Sequence, residues 1–191
     1  LLVEQEETGN KNDKKIGIIT ALLIGVTGCS TYSVNRYAVS VDNITSLKNV
    51  AGSNVNVGLF DTVGESKTSI MCRGVGPIKT PDGQTFENFI RKALIDELTM
   101  AGVHDSSAPI TLTGTLDSID FSSASGSWDI AMTIKSSNGN EISVSESYSF
   151  TSSFYGETAC NQTAQALMPA VQNLIGKIVK NQDFSSLLKG A

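Results

Sequence analysis

The side chains of this chain that could do chemistry are few and widely spaced. His104 is the only histidine. It stands in the loop-like stretch Gly102-Val103-His104-Asp105-Ser106-Ser107, which holds all three residue types of a Ser-His-Asp site. Such a site needs convergence in space, which adjacency in sequence does not supply, so a solvated loop histidine is the default. Asp117, Asp120 and Asp129 could meet as paired carboxylates for acid-base work, or as oxygen ligands for calcium. They lack the Asp-x-Asp-x-Asp spacing of a calcium loop, and strand-edge carboxylates in water are the simpler reading. Gly74-Val75-Gly76-Pro77 is a fragment of a glycine-rich loop without the third glycine or the Lys-Ser/Thr that hold phosphate. Trp128, Tyr148, Phe150, Phe154 and Tyr155 could line an apolar groove or simply pack a core. Asn43-Ile44-Thr45 and Asn161-Gln162-Thr163 match the glycosylation sequon. No set of nucleophile, base and oxyanion donor assembles from these residues. The expectation is therefore no catalytic residue, no cofactor and no metal site. The enzymatic alternative is a polymer-processing activity using Asp117 and Asp120, or His104.

The stretch from Lys11 to Cys29 carries more information. Lys11, Lys14 and Lys15 precede an uncharged run of 11 residues, Ile16 to Val26, and then Thr27-Gly28-Cys29. A basic start, a short apolar core and a small residue before a processing point make a secretory signal. A membrane-spanning helix needs about 20 apolar residues, so the run is too short to stay as an anchor. Val26-Thr27-Gly28-Cys29 resembles the lipobox of bacterial lipoproteins. The resemblance implies that the Cys29 thiol takes a diacylglyceryl group, that the preceding residues are removed, and that the new amino group takes a further acyl chain such as palmitate. It also implies a membrane partner, reached through the lipid on Cys29. Ser30, rather than Asp, follows the cysteine, which in enteric-type lipoproteins points to the outer membrane and a periplasmic face. The competing reading is a core helix with a chance cysteine. Leu1 to Asn10 is acidic, and the first methionine is Met71, which implies a non-standard start codon or residues upstream. The signal sequon context makes glycosylation at Asn43 or Asn161 chemically out of place.

With Cys29 lipidated, two cysteines remain, Cys72 and Cys160. Export would take them to an oxidising compartment, where a disulfide is expected. From Cys29 onward the chain has 163 residues, enough for one domain and its core. That part carries 11 Lys and Arg against 15 Asp and Glu, and it has no basic block. Nothing in that balance calls for nucleic acid as a partner. The expected organisation is a signal region over 1–28, a lipid-anchored tether over 29–53 and one domain over 54–191.

Alternation of polar and apolar residues predicts the strands. Tyr37–Val41 is a possible first strand, Val55, Val57 and Leu59 share one face of the next, and Thr68 to Val75 forms another. Gly76 to Gly83 reads as a loop by its breakers. Phe86, Phe89, Ile90, Ala93, Leu94 and Leu98 make one face of a helix over Thr85 to Met100, with Asp82 or Thr85 as its cap and Gly102 as its stop. Ile110, Leu112, Gly114 and Leu116 alternate on even positions and Ile119 and Phe121 on odd ones, so a bulge belongs near Asp117-Ser118. Trp128 to Ile134 and Ile142 to Phe150 then form a hairpin whose apolar faces match only if the loop has an odd number of residues. A helix over Thr158 to Lys180 carries Pro169, which should kink or split it. Phe184 to Leu188 adds a short turn.

The resulting class is α+β, a two-layer sandwich of a largely antiparallel sheet with two helices on one face. In element order the chain resembles small α+β auxiliary lipoproteins of transport systems and the amino-terminal domain of the Tol translocation protein. With no catalytic set in the sequence, the expectation is a non-catalytic envelope lipoprotein acting as a binding or assembly component, which holds a partner protein, or a lipid or glycan, near the membrane.

Overall fold

The computed structural model describes residues 30–49 and 54–189. The lipobox and Cys29 lie outside these residues. The elements in chain order are β1 (Tyr32–Ser33), α1 (Val41–Asn49), β2 (Asn56–Thr62), β3 (Ser69–Cys72), β4 (Gly76–Lys79), a 3-10 turn (Pro81–Gly83), α2 (Phe86–Ala101), β5 (Thr111–Ser122), β6 (Ser127–Ser136), β7 (Glu141–Ser149), α3 (Gly156–Val179) and α4 (Phe184–Leu187). The class is α+β, with four helices and two sheets. One sheet has the order β2-β5-β6-β7 and the other β1-β4-β3. The larger sheet is antiparallel except where β2 runs parallel to β5. The buried core lies between the sheets and helices, and includes Trp128, Phe86, Leu112, Ile130, Leu167 and Ile175.

The long β-hairpins follow the sequence pattern closely. The β5–β6 register slips between Leu116 and Ser118, which places the bulge at Asp117 as the change of parity requires. Ile134 pairs with Ile142, and Ser136 donates its N–H to Asn140. The loop between is therefore Ser137-Asn138-Gly139, an odd loop, with Gly139 at φ 93°. Thr85 caps α2 by accepting from the Asn88 N–H, and Gly102 ends it at φ 75°.

Five expectations need correction. Tyr37–Val41 is not a strand: Val41 opens α1, and Leu47 of that helix is fully buried. The described part of the expected tether, residues 30–49, accordingly belongs to the fold, because β1 pairs with β4 and α1 packs in the helical layer. Leu59 is 80% exposed, because the β2–β5 register shifts between Val57 and Phe60 and turns Phe60 inward instead. Gly114 makes room for that ring, since a Cβ there would lie 2.8 Å from Phe60. Gly76–Lys79 is a strand rather than loop; Pro77 fits because β1 pairs only with Ile78 and Lys79 beyond it. Finally, Pro169 does not split α3, which continues as one helix on both sides of it. The carbonyl that loses its partner belongs to Gln165, an exposed residue where water can replace the missing bond.

Candidate functional site: a polar cleft and its buried carboxylates

The residues singled out as possible chemistry do not gather at one place, although Asp120 and Asp129 face each other across β5 and β6. His104 forms an isolated bridge with Val55, tying the α2–β5 loop to the start of β2. The Asp105 carboxylate is taken up by Ser107, accepting from its N–H at 2.8 Å and its hydroxyl at 2.7 Å. Those two bonds hold its pKa below the ordinary carboxylate value. Asp117 accepts from the Thr133 hydroxyl at 2.9 Å, at the bulge. Asp120 stands directly opposite Asp129 on exposed strand positions, a like-charge pair that costs stability. Among the described residues no group of three or more His, Cys, Asp or Glu is placed to hold a metal ion. Trp128 is fully buried, with its indole N–H donating to the Thr163 carbonyl at 2.8 Å, so it is core rather than groove lining. Cys72 and Cys160 are joined by a disulfide, with Cα atoms 5.9 Å apart, linking β3 to the first turn of α3.

The structure gathers a different set of polar side chains. A cleft of about 600 Å³ opens between α1, β7 and α3. Asn43 of α1, Glu146 of β7, and Gln172, Asn173, Gly176 and Lys177 of α3 lie along it. Each position follows from the local fold. Glu146 occupies the inward parity of β7, with Ile142 and Val144, and is 6% exposed. Lys177 reaches over it at 2.8 Å and also donates to the Ser145 carbonyl. Asn173 donates to the same carboxylate at 3.3 Å. An ion pair with one partner this buried needs such added hydrogen bonds to offset desolvation.

Beneath the cleft, Glu97 is fully buried on α2. One of its oxygens accepts from the Tyr37 hydroxyl at 2.6 Å, the Ser40 N–H at 2.7 Å and the Asn43 amide at 3.3 Å. Its other oxygen has no protein partner. Burial, reinforced by the bond to Glu97 and by its charge, pushes the Tyr37 phenol well above its ordinary value of 10.0. Asn43 also donates to the Gln172 carbonyl at 2.9 Å and so ties α1 to α3. Gly176 is required at this crossing, because a Cβ would stand 2.9 Å from the Asn43 side-chain oxygen. The arrangement offers fixed donors and acceptors but no activated nucleophile.

The sequence carried a signal for these residues that composition and motifs do not show. Glu97 falls in the 3-4 stripe of α2 beside Ala93, Leu94 and Leu98, and Glu146 falls in the apolar parity of β7. A carboxylate in a buried phase must have partners, and those partners define the cleft.

Against known proteins, no family model and no curated protein matches the sequence. The fold is similar to that of the solved protein XCC0632 of Xanthomonas campestris, a DUF330 protein. The two share 11% identity and a TM-score of 0.51 over 78% of this chain and 95% of that one. A suspected lipoprotein from Caulobacter crescentus CB15 aligns over 78% of this chain and 98% of its own, at 15% identity and a TM-score of 0.39. The likeness to the Xanthomonas protein shows a shared fold.

Proposed function

We propose that this chain is a lipid-anchored, non-catalytic lipoprotein of the bacterial envelope, held in the outer membrane by acyl chains on Cys29 and facing the periplasm. There it binds or helps assemble an envelope protein partner. The observation that carries this reading is the junction itself. A basic and apolar signal ends in Val26-Thr27-Gly28-Cys29, and the first strand of the described residues starts three residues later at Tyr32. The Cys72–Cys160 disulfide fits an oxidising compartment. The α1–β7–α3 cleft offers a polar surface, and the placement of His104 on the α2–β5 loop and of Asp117 and Asp120 farther along β5 supports a binding role over a catalytic one.

Intact mass of the membrane-extracted protein tests the anchor. The expected species starts at Cys29 and carries added acyl mass, and Cys29→Ala leaves an uncleaved precursor. A mature protein cut elsewhere, or without acyl chains, refutes the reading. His104→Ala, and Asp117→Ala combined with Asp120→Ala, are expected to keep both melting temperature and cellular function. Loss of function at wild-type stability in either would reveal an active site.

A further inference from the structure

Three loops meet at the end of the molecule where β5 finishes. They are the β3–β4 turn at Arg73-Gly74-Val75, the β5–β6 turn over 122–126, and the β7–α3 segment over 150–155. Arg73, at φ 47°, fastens them together. Its guanidinium donates to the Ser123 hydroxyl at 2.9 Å, the Ser123 carbonyl at 2.5 Å and the Phe154 carbonyl at 3.0 Å. The Phe150 N–H donates to the Gly126 carbonyl at 2.8 Å, and Ser152 bonds to Ser123. On this braced platform Phe154 is 93% exposed and Tyr155 77% exposed. Their rings form an edge-to-face pair with centroids 6.3 Å apart. An aromatic pair is costly to leave in water, and this one is held outward by hydrogen bonds on both sides rather than folded back.

The first described residue, Ser30, lies at the same end. Ser30 packs so closely on Gly76, the residue after the β3–β4 turn, that a Cβ there would overlap its carbonyl oxygen. Val75 of that turn in turn faces Gly156, immediately after the aromatic pair, with 3.0 Å to a Cβ built there. Adjacent Cα atoms are about 3.8 Å apart, so Cys29 cannot lie farther than one residue from Ser30. Acyl chains on Cys29 would therefore pull this end, and not the cleft, against the bilayer. The three loops contain a single charged side chain, Arg73, in a chain of net charge −5. The loops themselves present hydroxyls and two aromatic rings, and the exposed Asp120, Asp129 and Glu157 flank them in sequence. Aromatic residues with one polar end settle at the level of lipid headgroups.

From this juxtaposition we infer that Phe154 and Tyr155 insert into the headgroup region of the bilayer that holds Cys29. This contact fixes the orientation of the domain on the membrane and rests on the proposed lipidation. The lipid supplies attachment, and the aromatic pair supplies a second contact that stops the domain from rotating about its anchor. The cleft and the free edge of β7 then keep a set direction relative to the membrane plane.

The test uses the full mature protein, extracted from membranes and reconstituted in phosphatidylethanolamine/phosphatidylglycerol vesicles with or without bromine on the acyl chains. Trp128 is the only native tryptophan and is buried, so it provides a constant background. Phe154→Trp adds a reporter at the braced end. Met100→Trp adds one near the start of β5, where Met100 is 59% exposed. β5 separates the two sites by roughly 35 Å, at about 3.3 Å per residue. Brominated lipid is expected to quench the added emission of Phe154→Trp at least twofold and to leave that of Met100→Trp unchanged. Equal quenching of the two in acylated protein overturns the inference while the anchor stands. Shielding of the Phe154→Trp reporter in native membranes but not in pure lipid also overturns it, in favour of a protein partner. A mass without acyl chains removes the anchor and the inference with it. Tyr155→Trp carries the same measurement should Phe154→Trp fail to fold.

Discussion

Removing the Cys72–Cys160 disulfide should lower the melting temperature by more than any change of an exposed residue. The bridge closes 88 residues of separation and joins β3 to α3, with both cysteines fully buried. In the chain-entropy treatment a loop of this length removes about 15 cal/mol/K from the unfolded ensemble, or about 4.6 kcal/mol at 25 °C. Unfolding entropy is about 2.1 cal/mol/K per residue, so a domain of about 160 residues loses about 14 °C in Tm for that change. The double variant Cys72→Ala/Cys160→Ala is the cleaner test, because alanine leaves no buried hydroxyl or free thiol. The loop constraint is lost once, by either substitution. The double variant should therefore melt no lower than the single variants by more than the small packing loss of a second sulfur. Calorimetry without reductant, on samples whose free thiols have been counted, measures this directly. A double variant melting within about 3 °C of the wild type would refute the entropic account. Two free thiols in the native protein would refute the bridge itself.

Two further outcomes test the buried network under the cleft. Glu97→Ala leaves the Tyr37 hydroxyl and the Ser40 N–H without their acceptor and should cost about 3 kcal/mol in urea unfolding, while Glu97→Gln, which keeps an oxygen there, should cost less; a loss below about 1 kcal/mol for the alanine variant would show that water replaces the carboxylate. Stability should also fall as pH rises above 10, because the unfolded chain releases the Tyr37 proton near its ordinary value of 10.0 whereas the folded chain retains it. Tyr37→Phe should flatten that alkaline fall, and an identical pH slope in both proteins would contradict the raised phenol pKa.

The parts of the fold that could be read from the sequence are those where one periodicity runs long enough to decide. The even-to-odd switch between Leu116 and Ile119 located a bulge to within a residue, and matching parities at Ile134 and Ile142 required an odd loop. Both deductions follow from the two-residue repeat of a strand, which tolerates no half-step while one face is buried. Short elements escaped for the opposite reason. α1, Val-Asp-Asn-Ile-Thr-Ser-Leu-Lys-Asn, offers only Leu47 as a fully buried apolar residue and is rich in types that compete for backbone hydrogen bonds. It forms because α2 and α3 receive it. Asn43 bonds to Glu97 on one and to Gln172 on the other. β1 is two residues long and has no pattern of its own; its partner β4 lies 46 positions away, from Tyr32 to Ile78.

The residues of the cleft form no motif in the sequence. His104, Asp117 and Asp120 are of catalytic types, yet each is absorbed by a local turn, bulge or strand face. The polar groups that converge are Asn43, Glu97, Glu146 and Lys177, contributed by α1, α2, β7 and α3. No spacing in one dimension connects them. What marks them is conflict: two carboxylates sit where the helix and strand periods demand apolar side chains. A buried carboxylate is destabilising unless donors from other elements meet it, so each such conflict implies a convergence of elements at that point. Glu97 gathers the segment leading into α1, and Glu146 gathers α3. The cleft lies where those two gatherings adjoin. The buried carboxylates therefore mark the cleft end of the domain, whereas the exposed aromatic pair Phe154 and Tyr155 marks the other.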